Sequence, residues 1–143
     1  MLSHTCKTAI KAVIYLSGKS KEGDKTNIKE ISGRINASEH TVGKILQLLA
    51  RKRIINSLKG PTGGFYLREE QQEQALIHIV EAIEGDRLFT ECGLGLNKCS
   101  AAHPCPIHNE YKVARELMEK IFRERKVSDL CGSVTDGISY LID

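Results

Sequence analysis

Three cysteines and two histidines crowd into one short stretch of the chain, residues 91–108. Cys92, Cys99 and Cys105 offer three soft thiolate ligands, and the imidazole of His108 adds a borderline one. Prolines stand on both sides of Cys105, and a cysteine followed by proline recurs in segments that bind iron–sulfur clusters. This composition is typical of a metal, cluster or redox site.

The spacing of these residues leaves more than one chemistry open. CxxC pairs are absent, and the gaps of six and five residues between the three cysteines are wider than those of a compact zinc finger. An iron–sulfur cluster fits best, while a structural zinc ion or a thiol redox switch would use the same residues; cysteines without a shared site are the remaining alternative. The whole chain has 5 cysteines, and this odd number fits a secreted disulfide framework poorly. Cys131, near the end of the chain, is most simply a small apolar core residue.

The elements upstream of this stretch are predicted to be three helices. The first carries apolar residues over 9–16 and ends near Gly18; the second is capped by Asn27 and the third by Ser38. A short helix, a tight turn and a longer helix with a polar outer stripe make a helix-turn-helix. Residues 54–59 and 65–67 then predict two strands around a glycine-rich turn, which is a wing.

The polar stripe of the third helix and the tip of the wing form a candidate DNA-binding surface. Such side chains can contact base edges or phosphates, and a small, glycine-rich tip lets the backbone approach DNA. The residues are Ser38, Glu39, His40, Lys44, Gln47, Arg51, Lys59, Thr62 and Gly63.

The charge distribution favours a polyanionic partner for the first half of the chain. Residues 1–68 hold 13 Lys+Arg and 4 Asp+Glu, a balance of +9, whereas residues 69–143 hold 8 and 14, a balance of −6; together they give the net +3. Aromatic residues make up only 5% and tryptophan is absent, which argues against a stacking platform for single strands. Duplex DNA is the better candidate.

The remaining sequence predicts two more helices, over 74–84 and 109–125. The second has a dense apolar stripe with little remaining chain to cover it, so a second subunit is expected. We therefore predict a mainly α fold with a small β-hairpin, divided into a winged helix-turn-helix domain (1–85), a cysteine-rich loop (86–108), and a dimerisation helix with a C-terminal tail (109–143). No apolar run long enough to span a membrane and no signal peptide is evident, so a cytoplasmic protein is expected.

Taken together, the start of the chain, the wing Lys59-Gly60-Pro61-Thr62-Gly63-Gly64-Phe65-Tyr66-Leu67, the segment 80–85 and the cysteine loop resemble the IscR/NsrR-type (Rrf2) family of bacterial transcription regulators. The resemblance covers nearly the whole chain. It implies a homodimer that binds a palindromic promoter operator in double-stranded DNA. It also implies an iron–sulfur cluster on the three loop cysteines that senses cluster supply, nitric oxide or redox state.

Within this family resemblance, His108 matches the histidine that completes a [2Fe-2S] site in the IscR branch; [4Fe-4S] is the alternative. Two departures are visible: the gap between Cys92 and Cys99 is one residue longer than in that branch, and Lys7 stands where the NsrR branch has a carboxylate ligand. Because a cation cannot act as a ligand, the second departure favours His108, with Cys6, His103, Glu91 or an exogenous ligand as rivals for the fourth position. Clusters of this exposed kind are readily lost in air.

Other functional classes fit the sequence less well. No oxyanion-hole motif and no nucleotide-binding glycine loop is visible, so we expect no enzyme activity. A winged-helix regulator with structural zinc or a thiol switch would differ by lacking a chromophore. A winged helix that binds only proteins would lack salt-dependent binding to duplex DNA.

Overall fold

The computed structural model describes residues 1–143 and confirms the predicted fold class, a mainly helical chain with one small antiparallel hairpin. The elements are α1 (His4–Lys21), α2 (Ile28–Ile35), α3 (Glu39–Arg51), β1 (Asn56–Leu58), β2 (Gly64–Tyr66), α4 (Glu69–Gln72), α5 (Leu76–Glu84), α6 (Arg87–Thr90), α7 (His108–Glu124) and α8 (Val127–Thr135).

The predicted side-chain caps start the second and third helices. Asn27 Oδ1 accepts a hydrogen bond from the backbone N–H of Glu30 at 2.8 Å, and Ser38 Oγ accepts one from that of Thr41 at 3.2 Å. Between these helices Asn36 adopts a left-handed conformation with φ 53°, which ends α2 and makes the tight turn into α3. Local chemistry therefore fixes the helix-turn-helix.

The hydrophobic core is organised around α1, which packs against α2, α3, α5 and α8. Leu16 of α1, Ile31 of α2, Leu46 of α3 and Ile79 of α5 are fully buried in one cluster. Burying each such side chain contributes about 1.5–3 kcal/mol. The helix-turn-helix is therefore held against the rest of the chain by its apolar face, and its polar face stays free.

The wing is shorter than the sequence predicts. Strands β1 and β2 pair from Asn56↔Tyr66 to Leu58↔Gly64. Ile54 and Ile55 are buried ahead of the ladder, and the N–H of Leu67 bonds to Ser20 Oγ at 2.8 Å instead of continuing β2. Tertiary contacts at both ends of the hairpin therefore limit the length of its two strands.

A third segment holds the base of the wing. Thr26 and Phe65 exchange two backbone hydrogen bonds of 3.0 and 2.9 Å. A Cβ at position 64 would come within 2.9 Å of the Thr26 carbonyl oxygen, and a Cβ at Gly63 would collide with the Leu58 carbonyl oxygen. Only glycine fits at these two positions.

The C-terminal region contains a helix that the sequence analysis missed. The sequence predicts only a tail after residue 125, yet α8 packs on α1, with Val127 and Cys131 buried. Gly132, serine and threonine give α8 weak intrinsic helix propensity, so its packing rather than its composition stabilises it. The division into three regions stays a prediction, but the end of the last region contributes to the core of the first. None of the helices combines the length and apolar character needed to cross a bilayer.

Gly43 lies in the middle of α3, where its low helix propensity needs an explanation. It faces α2, and a Cβ there would lie 3.4 Å from Ile28 Cδ1, an ordinary contact with the end of a flexible side chain. We therefore expect Gly43→Ala to raise the free energy of unfolding by about 0.5–1 kcal/mol, because alanine is the better helix former. Urea unfolding measures the change.

Gly63→Ala is the matched control for this substitution, because its methyl group would meet backbone instead of open packing space. The expected result is a lower unfolding midpoint for Gly63→Ala and a higher one for Gly43→Ala. A lower midpoint for Gly43→Ala would show that α2 and α3 are packed too tightly for a methyl group.

Candidate DNA-binding surface and cysteine site

The outer face of α3 presents the side chains that the sequence analysis selected. Glu39, His40, Lys44, Gln47 and Arg51 are all exposed, while the opposite face of α3 is buried. Ser38 is exposed too, but its hydroxyl caps the helix and also donates to Thr41 Oγ1 at 2.8 Å. Its first role is therefore structural, and the other five side chains are free to contact DNA.

Lys59 and Thr62 are exposed at the tip of the wing, and Gly63 is half-buried. The Leu58 carbonyl oxygen lies so close to Gly63 that the turn itself requires glycine at this position. This requirement holds whether or not the Gly63 backbone also contacts DNA. Lys25 lies at the base of the wing with its Nζ 5.4 Å from the centre of the Tyr66 ring, and it adds a cation that sequence analysis did not select.

Two glutamines hold the stem of the wing. Gln71 Nε2 donates to the carbonyl oxygen of Arg53 at 3.0 Å, and Gln71 Oε1 accepts from Asn56. Gln74 Nε2 donates to the carbonyl oxygen of Ile54 at 2.9 Å. Nothing in the sequence distinguishes these glutamines from solvent-exposed ones, so only the structure identifies them as positioning residues for the wing.

In the cysteine loop, the structure brings the four selected donors into two neighbouring pairs. Cys99 Sγ lies 3.5 Å from His108 Nδ1, the side chain of the first residue of α7. Cys92 and Cys105 form the second pair, close enough for each thiol to shift the pKa of the other. Cys92, Cys105 and His108 are each only 8% exposed, and Cys99 is partly buried.

The two cysteines of the second pair have different electrostatic environments. The backbone N–H groups of Leu94 and Leu96 donate to Cys92 and lower the pKa of its thiol. Burial raises the pKa of Cys105. Backbone N–H groups directed at a sulfur stabilise the thiolate, which is the form that binds metals and reacts with oxidants.

The structure contains no group of three His, Cys, Asp or Glu side chains placed to hold one metal ion. The donors are paired instead. One pair joins two thiols and the other joins a thiol to an imidazole, and two such pairs suit a cluster of two irons that each take two protein ligands. The chemistry of the donor set thus fits an iron–sulfur group.

The rival ligands are placed less well. Cys6 is completely buried beside Ile77 and Val80, and burial raises the pKa of its thiol to about 12. A thiol with this pKa is protonated at neutral pH and is a poor ligand. His103 and Glu91 are exposed, and the backbone carbonyl of Glu91 accepts a hydrogen bond from Arg115 at 2.7 Å.

Helix α7 has an inner and an outer apolar face. Met118 and Phe122 pack on the small cluster around Cys6, and the Phe122 ring lies 6.1 Å from that of Phe89. Val113, Leu117 and Ile121, four residues apart, form an outer stripe and are 66%, 60% and 51% exposed. An exposed apolar stripe of this kind marks a contact surface.

Comparison with known proteins identifies the family. The Rrf2 family model, described as an iron-dependent transcriptional regulator, matches residues 2–133. The transcriptional regulator NsrR of Geobacillus kaustophilus is 26% identical over 130 residues, which cover 90% of this chain and 88% of NsrR.

Solved structures share the fold. CymR, the global cysteine regulator of B. subtilis, superimposes with a TM-score of 0.75 at 19% identity over 92% of this chain and 96% of its own. IscR of T. potens gives 0.74 at 15% identity over 97% and 91%. The winged helix, the cysteine loop and the family match lead to one conclusion: this chain belongs to the Rrf2 family of transcriptional regulators.

Proposed function

We propose that this regulator is a homodimer that holds an iron–sulfur cluster on Cys92, Cys99, Cys105 and His108 and changes its affinity for a palindromic operator with the state of that cluster. The observation that carries the proposal is the pairing of Cys99 with His108 and of Cys92 with Cys105, with Cys92, Cys105 and His108 buried in a loop whose other residues are mostly exposed. A bound cluster supplies a centre that reacts with oxidants and nitric oxide.

The donor set supports a [2Fe-2S] cluster over a single zinc ion. A tetrahedral zinc site needs its four ligands around one point, whereas the donors here are close in pairs. Two pairs match two irons, and an imidazole can replace a thiolate on one of them. A [4Fe-4S] cluster would need four separated ligands and is the less suitable choice.

DNA binding is assigned to the outer face of α3 and to the wing. Glu39, His40 and Lys44 lie in the first half of α3 and Gln47 lies just past its middle, and the N-terminal part of a recognition helix is the part that contacts base edges in the major groove. Arg51 and Lys59 lie at its end and on the wing, where they would meet phosphates. The positive balance of residues 1–68 supports this assignment.

Dimerisation is assigned to the outer stripe of α7. A two-fold operator requires two recognition helices, and a shared α7 contact would set their separation. The first residue of α7 is His108, so the helix that would join the subunits also carries one of the proposed ligands. A change in the conformation of residues 92–108 would therefore be transmitted through α7 to the distance between the two recognition helices.

A thiol switch is the second candidate, and the Cys92–Cys105 contact favours it. The lowered pKa of Cys92 makes it the nucleophile, and Cys105 lies beside it. Hydrogen peroxide would accept two electrons and the two thiol protons and become two water molecules, or an organic hydroperoxide would become an alcohol and one water, while the two sulfur atoms form a disulfide. This switch would operate on the metal-free protein.

Replacing Cys92, Cys99 and Cys105 together by alanine should remove the response of DNA binding to the cluster. For the wild type we expect operator affinity to change about 5- to 150-fold between cluster-loaded and cluster-free protein, a coupling of ~1–3 kcal/mol. Fluorescence anisotropy with a duplex selected by the protein from a random library measures it. The triple variant should show one affinity under all redox conditions.

His103→Ala is the matched control, since His103 is an exposed imidazole in the same loop. The operator affinity of His103→Ala should change with the state of the cluster as it does in the wild type, whereas that of His108→Ala should not. If the triple variant kept the wild-type response, or if the wild type had none, the proposed sensing would be wrong.

Substitutions on the DNA-binding surface should separate phosphate contacts from base contacts. Arg51→Gln and Lys59→Gln should weaken binding to every sequence and reduce the slope of log affinity against log salt by about one each. His40→Ala, Lys44→Ala and Gln47→Ala should instead change the preferred sequence. Lys120→Gln removes a charge from α7, where Lys120 pairs with Glu124, and serves as the control. Uniform losses from all three base-contact variants would contradict sequence recognition by α3.

A further inference from the structure

The first two turns of α7 present three side chains to the cysteine loop. His108, Tyr111 and Arg115 are separated by three and four residues, so they lie on one face of the helix. His108 approaches Cys99, as described above. Tyr111 and Arg115 have no role in the proposed ligand set, yet both contact the loop.

Arg115 joins two points of the loop. Its Nη1 donates to the carbonyl oxygen of Glu91 at 2.7 Å and to Cys99 Sγ at 3.5 Å. Glu91 directly precedes Cys92, so one guanidinium group connects both ends of the segment 91–99. The Arg115 side chain is partly buried, which reduces competition from water for these hydrogen bonds.

Tyr111 supports the same segment by close packing. A Cβ on Gly93 would approach three atoms of the Tyr111 ring to 2.7–2.9 Å, so the ring lies directly against the glycine backbone. The guanidinium carbon of Arg115 lies 5.9 Å from the centre of that ring, within cation–π range. The ring therefore contacts both the loop and the arginine.

We propose that Arg115, supported by Tyr111, is a positioning residue that fastens residues 91–99 to α7 and holds a permanent positive charge beside Cys99. The attachment of residues 91–99 to α7 does not depend on a bound cluster. The effect of the charge rests on the proposed function, because it concerns a cluster bound to Cys99. A cation that donates to a ligand sulfur stabilises the more negative, reduced state, so Arg115 raises the reduction potential of that cluster.

Hydrogen exchange on the full-length, metal-free protein tests the fastening. Arg115→Gln should increase amide exchange in residues 91–99 by about tenfold, the factor for losing one charge-assisted hydrogen bond. Amides of α1 should be unchanged, which distinguishes local release from global unfolding. Arg123→Gln is the matched control, since Arg123 lies two turns further along α7 and pairs only with Glu119. Equal exchange in the two variants would overturn the proposal.

A redox titration of the reconstituted protein tests the charge. Arg115→Gln should have a more negative potential than the wild type, and Arg115→Lys, which keeps the charge, should restore most of the difference. An unchanged potential in Arg115→Gln would refute the electrostatic effect. If the wild type takes up no cluster, the proposed function fails, while the exchange experiment still decides whether Arg115 fastens the loop.

Discussion

The contact between the cysteine loop and the first turns of α7 is the constraint on which the proposed regulator depends. Residues 91–107 form no helix or strand, so their conformation has to be fixed by contacts with their neighbours. His108, at the start of α7, meets Cys99, and the N–H of His108 bonds to the Cys105 carbonyl at 3.0 Å. Since the same helix leaves an apolar stripe exposed on its other side, a change in the loop would, under this proposal, act on the helix that joins the subunits.

The DNA-binding half is built on a different principle. Its surface residues are free because the buried face of α3 and the cap at Ser38 fix the helix without them. Backbone hydrogen bonds with Thr26 and glutamine side chains hold the wing, so its conformation does not depend on the Lys59 side chain at its tip. Substitutions at the DNA surface should therefore change affinity or specificity with little effect on stability, whereas those at Gly63 change the wing itself.

The sequence was sufficient for the elements with strong local signals. Asn27, Ser38 and the apolar repeats predict α2 and α3, and the cysteine spacing locates the loop. It was insufficient for α8, whose composition is poor for a helix and whose stability comes from packing on α1. It also could not show that Cys6 lies in the core or that the loop donors form pairs, because both depend on contacts between distant segments. The spacing of His108, Tyr111 and Arg115 was visible in the sequence, but only the structure shows that this face meets the loop.

The most direct test of the central claim is the visible absorption spectrum, with iron, sulfide and zinc analysis, of protein purified without oxygen. We predict a coloured protein with iron and acid-labile sulfide in equal amounts, about two of each per chain, and loss of both when Cys92, Cys99 and Cys105 are replaced. A colourless protein that contains zinc, or no metal even after anaerobic reconstitution, would contradict the cluster. The family assignment would stand, the proposed DNA-binding surface would be unaffected by this result, and the thiol switch would become the proposed sensing mechanism.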